Sequence, residues 1–432
     1  MSATDTLRDE AAALLQQLIR LNTVNPPGNE TLAAECLRDY LEPHGLEVQL
    51  LGRTPERMNL VARLRGGDGP ALCFLSHTDT VVADPNEWAR DPWSGDVVDG
   101  WVWGRGALDM KNQVAASAVA IASLAREGFE PAGDVIFVAA ADEEVGKAFG
   151  LQWLCEEHPE AVRCDYAINE GGGERESLGG RVFYLPTVAE KMSAPFRVRV
   201  RGRSGHASMP GIADNALVKA APLIERLAAY RPEPTVGPEV AAFLDAVLGE
   251  RPEPGDVLAR LGALDPLAAE LVEPLLSLTL SPTMISASER RNVVPGTCDL
   301  VVDRRLLPGQ TPEEADELVR AVLGEGDYEL ETLERWGGTR SPMETPLWEA
   351  IEAWVAQTEP GAAVAPLACA GFTDSHWLRE AFGTVAYGFF PMRVLESAVA
   401  SRLIHSADER THVDDLALGV DWLRFAARHL LG

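Results

Sequence analysis

The feature that most constrains this chain is the run Asp134-Val-Ile-Phe-Val-Ala-Ala-Ala141, apolar over its whole length after the first residue and then broken by Asp142-Glu143-Glu144. A strand with one wet face alternates apolar and polar residues. A run apolar on both faces belongs to a strand covered on both sides, the mark of a mostly parallel sheet between helical layers. Residues 71–76 read the same way and end in His77-Thr-Asp79. Around these runs, 47–51 and 60–64 read as strands and 110–126 as a helix. Residues 5–42 read as helix, turn, helix, interrupted at Asn25-Pro26-Pro27-Gly28. The expected fold class is α/β, a mostly parallel sheet covered by helices on both faces.

From about residue 191 the pattern changes. Strands over 196–201, 277–286, 297–304 and 328–335, with helices over 215–230 and 312–323, make a β-α-β-β-α-β unit. A proline-rich, helical insertion at 231–274 separates its first helix from its second strand. From about residue 345 helices and strands resume and bring further polar clusters. The second domain is therefore expected inside the first, which gives boundaries of 1–190, 191–340 and 341–432.

With 46% hydrophobic and 24% charged residues, the chain has ample material for a core. It has no basic-then-apolar leader and no apolar window of about 18 residues. It is expected to be cytoplasmic, with no membrane as partner. A formal net charge of -28 argues against nucleic acid and anionic lipid, which repel such a chain at long range. Six scattered cysteines without a C-x-x-C pair point to reduced thiols rather than a disulfide framework or a cysteine zinc site.

Polar clusters stand at the ends of the expected strands: His77-Thr-Asp79, Gly106-Ala-Leu-Asp109-Met-Lys, Asp142-Glu143-Glu144 and Asn169-Glu170. A fifth, Ile404-His405-Ser-Ala-Asp-Glu-Arg, lies near the C-terminus. In α/β sheets ligands collect at the carboxyl ends of strands, so the clusters are expected to converge. Asp79, Asp109, Glu143, Glu144 and Glu170 in one pocket would repel one another unless cations intervened. Two histidines and three carboxylates suit two borderline divalent metals, with Asp109 bridging, one histidine on each ion, and Glu144 and Glu170 completing the set. Zinc is the first choice, with Co2+ or Mn2+ as substitutes. Asp79 remains to orient His77, since residues two apart in a strand share a face. Glu143 and Glu144 are adjacent and point apart, so one can ligate while the other serves as general base on water. Taken singly, a His-x-Asp is more often a structural pair and an Asp before a helix more often a cap. The combination is what carries the specificity.

In chain order, Ser-His77-Thr-Asp79-Thr-Val, Trp-Gly-Arg-Gly-Ala-Leu-Asp109-Met-Lys, Asp-Glu143-Glu144-Val-Gly, Asn-Glu170-Gly and the late His405 resemble the signature segments of the M20 metallopeptidases. That family comprises aminoacylases, acetylornithine and succinyl-diaminopimelate deacylases, glutamate carboxypeptidases and dipeptidases. The resemblance implies that His77, Asp109 and Glu170 surround one zinc and Asp109, Glu144 and His405 the other, with Glu143 as general base and Asp79 orienting His77. It also implies a zinc-peptidase-like catalytic domain and an inserted ferredoxin-like lid that often mediates a homodimer.

In Arg203-Ser-Gly205-His206-Ala-Ser, His206 matches the histidine that reaches a partner subunit's active site and stabilises the tetrahedral oxyanion. Asn292, Arg305 and Gly371 match positions that contact the substrate, with Arg304 as the alternative arginine. The activity implied is cleavage of an amide bond beside a free carboxylate, on an N-acyl amino acid or a short peptide. A dipeptidase, which needs an acidic group for the free amine, and a catalytically silent binding member are the alternatives. Three positions depart from the family pattern: Lys147 stands where a second glycine is common, His376 where many members carry an arginine, and Asn169 where aspartate is commoner.

Overall fold

A computed structural model describes residues 3–146 and 148–432; Lys147 lies outside the described residues. By its internal packing the chain divides into two units, one of residues 1–188, 341–367 and 373–432, the other of 189–340 and 368–372.

In the first unit the apolar runs become neighbouring central strands. Leu72–His77 lies between Val135–Ala140 and Tyr166–Asn169, and Val385–Gly388 follows on the far side of Tyr166–Asn169; these four run parallel. Met58–Leu64 and then Glu47–Gly52 extend the sheet on the other side, both antiparallel to their neighbours. Alternation along the two inner strands explains why Leu72–Leu75 and Val135–Ala140 are apolar on both faces. Leu72, Phe74, Val135, Phe137 and Ala139 enter one core with helices Ala3–Arg20, Thr31–Leu41, Lys111–Arg126, Pro346–Thr358 and Val413–Leu431. Cys73, Leu75, Ile136, Val138 and Ala140 enter a second core, under helices Leu151–Glu157, Pro159–Val162 and Ser375–Phe382. Phe137 is fully buried, and cutting it to alanine would cost about 3–5 kcal/mol.

Parallel pairing carries a functional consequence. His77 ends its strand, Asp142 follows Val135–Ala140, and Glu170 follows Tyr166–Asn169, so in-register parallel pairing brings these three to one edge of the sheet.

The second unit's six-stranded antiparallel sheet has four main strands in the order Tyr328–Thr332, Phe196–Arg201, Thr297–Leu306, Thr279–Ser286, and short strands Met192–Ser193 and Trp336–Gly337 continue from Thr297–Leu306. Helices Ala216–Ala229 and Pro312–Leu323 pack on it through Leu223, Leu227, Val319 and Leu323. Strand order 4-1-3-2 with two helices is the ferredoxin-like arrangement of a β-α-β-β-α-β chain. The insertion forms short helices at Pro238–Val247, Val257–Leu264 and Pro266–Val272. Among the described residues Thr279–Ser286 pairs only with Thr297–Leu306, and it exposes Met284 and Ile285.

Candidate metal centre

Within the first unit the polar clusters meet around Asp109, whose two carboxylate oxygens face different histidines. Oδ1 lies 3.2 Å from Nε2 of His77, and Oδ2 lies 3.1 Å from Nε2 of His405. Glu170 Oε1 stands 3.6 Å from the same His77 nitrogen and Glu143 Oε2 3.9 Å. Glu144 Oε2 stands 3.1 Å from His405 Nε2. Donor atoms of His77, Asp109 and Glu144 lie within 4.8 Å of one another, as do those of His77, Glu143 and Glu170.

The electrostatics are those of a site built for positive charge. Burial pushes the carboxyls of Glu143, Glu144 and Glu170 above their usual range, and neighbouring carboxylates push the same way. Burial opposes a charge on His77, but Glu170, Asp109 and Asp79 outweigh it and raise its pKa. Hydrogen bonds to Asp109 and then Glu144 lift His405 to about 10. Asp109 is held low by the two imidazoles in spite of its burial. Oε1 of Glu144 is buried without a hydrogen-bond partner, which a buried polar atom rarely is unless another ligand is meant for it. This donor set, imidazoles with carboxylates and no thiolate, fits two borderline divalent cations.

Asp79 does more than orient a ring. His77 Nδ1 is nearer the backbone carbonyl of Asp79, at 3.1 Å, than its carboxylate, at 3.5 Å. The carboxylate is occupied elsewhere, since it accepts the N–H groups of Glu143 and Glu144, both at 3.1 Å, and the Asn25 amide at 2.9 Å. The strand that carries the histidine thereby fixes the backbone of the loop that carries the two glutamates.

Several supporting residues escaped the sequence reading. Asp142 holds a positive φ of 63°, a conformation that persists where its surroundings over-determine it. Its carboxylate accepts from Asn25 (2.9 Å), Arg57 (3.0 Å), Ala148 N (3.0 Å) and Phe149 N (3.3 Å). Arg57 in turn makes a two-pronged bond to the fully buried Glu30, at 2.6 and 2.7 Å. Gly28, at φ 75°, is needed here, because a Cβ would meet the Arg57 guanidinium at 2.3 Å.

On the opposite side Glu409, fully buried, accepts the N–H groups of Gly106, Leu108 and Asp109 and pairs with Arg105. It ties the Asp109 turn to the segment that carries His405. Asp374 is 94% buried, its Oδ2 lacks a hydrogen-bond partner, and burial lifts its carboxyl to about 8. Asn25-Pro-Pro-Gly reads only as a turn in the sequence, and no local pattern marks Arg57. Proximity of Glu409 to His405 in the sequence was the one usable signal.

The other expected site residues fall as follows. His376 is buried on helix Ser375–Phe382, with Nδ1 2.7 Å from the Thr373 carbonyl and its ring against Trp377. Asn169, also buried, donates to Ser375 Oγ at 3.0 Å. His206, Asn292, Arg305 and Gly371 belong to the second unit. There His206 is exposed with Nδ1 2.7 Å from Ser208 Oγ, and the next residue's N–H reaches the Asn292 carbonyl at 3.0 Å. Arg305 pairs with Asp303 at 3.0 and 3.1 Å. Arg304, the alternative arginine, is fully buried, holds Asp316 at 2.6 Å and covers the Phe196 ring. It is a core residue of that unit.

The model of peptidase family M20/M25/M40 matches residues 73–429. A succinyl-diaminopimelate desuccinylase from Thioalkalivibrio sulfidiphilus is 27% identical over 411 residues, covering 93% of this chain and 94% of the relative. An N-fatty-acyl-amino acid synthase/hydrolase, PM20D1, from Xenopus tropicalis is 26% identical, covering 83% and 73%. Among solved structures, an M20 metallo-carboxypeptidase from Sulfolobus solfataricus superposes with a TM-score of 0.73 at 18% identity, covering 98% of this chain and 99% of that one.

Proposed function

The chain belongs to peptidase family M20/M25/M40, hydrolases of amide or peptide bonds, and from that premise we propose a di-zinc amidohydrolase that cleaves an amide next to a free carboxylate. Its substrates are N-acyl amino acids or short peptides. The observation that carries this reading is Asp109 set between the Nε2 atoms of His77 and His405, with Glu144 and Glu170 beside them.

His77, Asp109 and Glu170 would hold one ion, and Asp109, Glu144 and His405 the other, zinc first by donor type, with Co2+ or Mn2+ able to substitute. Bound there, the metals would lower the pKa of water toward ~7 and polarise the amide carbonyl. Glu143 takes the proton of the attacking water and returns it to the leaving amine, the role its position beside His77 supports. Asp79 holds the N–H groups of Glu143 and Glu144, so the base cannot drift from the attacking water. Relatives named for removing acyl groups from amino acids favour an acyl amino acid as substrate.

In this reading the second unit acts as lid and dimer contact. Thr279–Ser286, with an unpaired outer edge and exposed Met284 and Ile285, offers the surface for a second copy. Across that dimer His206 donates to the oxyanion formed in the partner's site, while Arg305, Asn292, Gly371 and His376 would bear on the substrate's charged end. No helix of the described residues is long and apolar enough to cross a membrane, and a cytoplasmic setting agrees with the reduced thiols.

The test is a hydrolysis screen of N-acyl amino acids and dipeptides with zinc-loaded and chelator-stripped protein. Zinc-dependent release of free amino acid is expected, and no hydrolysis of any compound would reject the reaction class.

A further inference from the structure

The insertion at 231–274 meets the turn that follows strand Thr297–Leu306 around a cavity of about 330 Å³, entirely within the second unit. That volume lies in the range of small-molecule sites. Val240, Leu275, Leu307 and Pro308 give the cavity an apolar wall, and of its described lining residues only Glu239 and Arg340 carry charge. The wall is fixed on both sides. Pro308 and Gly309 sit at the centre of a turn closed by the Gln310 N–H on the Leu307 carbonyl at 3.0 Å, with Gly309 at φ 89°. Opposite, the buried Lys191 donates to the carbonyls of Pro274 and Ser277, at 2.8 and 2.9 Å, and so holds Leu275 between them.

Glu239 lies in the first turn of helix Pro238–Val247 and is 4% exposed. Among the described residues its carboxylate accepts no hydrogen bond, and its charge is met by Arg340, whose Nε stands 3.2 Å away. Arg340 does not close on it as Arg57 closes on Glu30. Its Nη2 donates instead to the Pro308 carbonyl, and Nη1 makes no hydrogen bond among the described residues. A buried carboxylate without a hydrogen-bond donor is costly. An ammonium group would supply the donors, and the remaining Arg340 nitrogen can take a carboxylate. Because the two protein charges are only 3.2 Å apart, a ligand of one sign meets its own sign at once. A ligand that carries both charges on one carbon meets neither.

We infer that this cavity binds a free α-amino acid with an apolar side chain. The ammonium sits on Glu239, the carboxylate on Arg340, and the side chain against Val240, Leu275 and Leu307. None of these residues takes part in the metal centre or in the hydrolysis proposed above. An amino acid is also what that hydrolysis would release; this link rests on the amidohydrolase reading, whereas the site itself does not.

The experiment titrates zinc-loaded wild type by calorimetry with L-leucine, with 4-methylpentanoate, which lacks the ammonium, and with 3-methylbutylamine, which lacks the carboxylate. Leucine is expected to bind at least about tenfold more tightly than either. Glu239→Gln should weaken leucine binding about 10- to 100-fold, the worth of a hydrogen bond to a charged group. Thr235 is exposed at the cavity's edge, so Thr235→Trp sets an indole there without cutting the core, and it should abolish binding. Leucine should bind equally well after a chelator has removed the zinc, which separates this site from the metal centre. Four results would each overturn the site: no leucine binding, binding no tighter than that of the two analogues, binding that either variant leaves unchanged, or binding lost with the zinc. Since binding is read without hydrolysis, an inactive protein would leave the site standing, and a failed titration would leave the reaction class untouched.

Discussion

The two histidines that face Asp109 come from opposite kinds of structure. His77 ends a strand buried on both faces and is 2% exposed, locked between Asp79 and Asp109. His405 sits at a positive φ of 59° in the turn after helix Ser397–Leu403, with its side chain 53% exposed. Yet each presents Nε2 to its own oxygen of the same carboxylate, at 3.2 and 3.1 Å. One half of the centre is built into the sheet. The other is carried on a loop and held from behind by Glu409, which binds the Asp109 turn and Arg105. The difference teaches that a metal site needs only one rigid half, provided the second is tethered to the ligand they share.

The sharpest way to test that division is at Glu143, which lies 3.9 Å from His77 Nε2 and is proposed as base and not as ligand. Glu143→Ala should lower kcat by about 10²–10⁴-fold while both metals stay bound. A loss under about tenfold with zinc retained, read by metal analysis beside kinetics, refutes the base. Next is Arg57→Lys, which touches neither half but loosens the grip on Asp142 and so on the loop bearing Glu144. Zinc affinity, measured against a competing chelator, should fall about 10- to 100-fold at the His405 half and less at the His77 half. Equal loss at both ions would mean that the halves are not separately supported.

Stability should separate them too. In chelator-treated protein His77→Ala leaves buried carboxylates without their counter-charge and should cost about 1–3 kcal/mol in urea unfolding. His405→Ala, at an exposed position, should cost under about 1 kcal/mol. The smallest effect is on pH. Asp109 and Glu144 raise His405 from 6.5 to about 10, so its stabilisation of the metal-free fold is complete below about pH 6.5 and is lost as pH rises toward 10. Solvent screening at this exposed ring keeps the change to about 1 kcal/mol or less. His405→Gln should remove that slope, and an unchanged slope would assign it to another group.

The parts of this molecule legible in advance were those written in local patterns. Apolar runs at 71–76 and 134–141 announce doubly covered strands because a strand's two faces alternate with a period of two. The chemistry of the donor set was equally plain, since histidine with carboxylates and no paired cysteine leaves few metals to choose from. Residues whose role depends on distant partners could not be read that way. Asp79 looked like a partner for a ring two residues away, and the fold gave its carboxylate to the N–H groups of Glu143 and Glu144. Arg304 and Arg305 are adjacent and chemically identical, and only the packing of the second unit buried one against Phe196 and left the other beside Asp303. His376 stood where an arginine is common and proved to be buried against Trp377.

What the sequence alone determined was the set of elements and the kinds of ligand, because both follow from periodicity and side-chain chemistry within a few residues. What only the tertiary structure decided was which carboxylates gather around the two histidines and which, like Asp79 and Glu409, hold the backbone behind them. Those roles depend on distances between strand ends far apart in the chain, and on burial, which sets the cost of every unpaired charge.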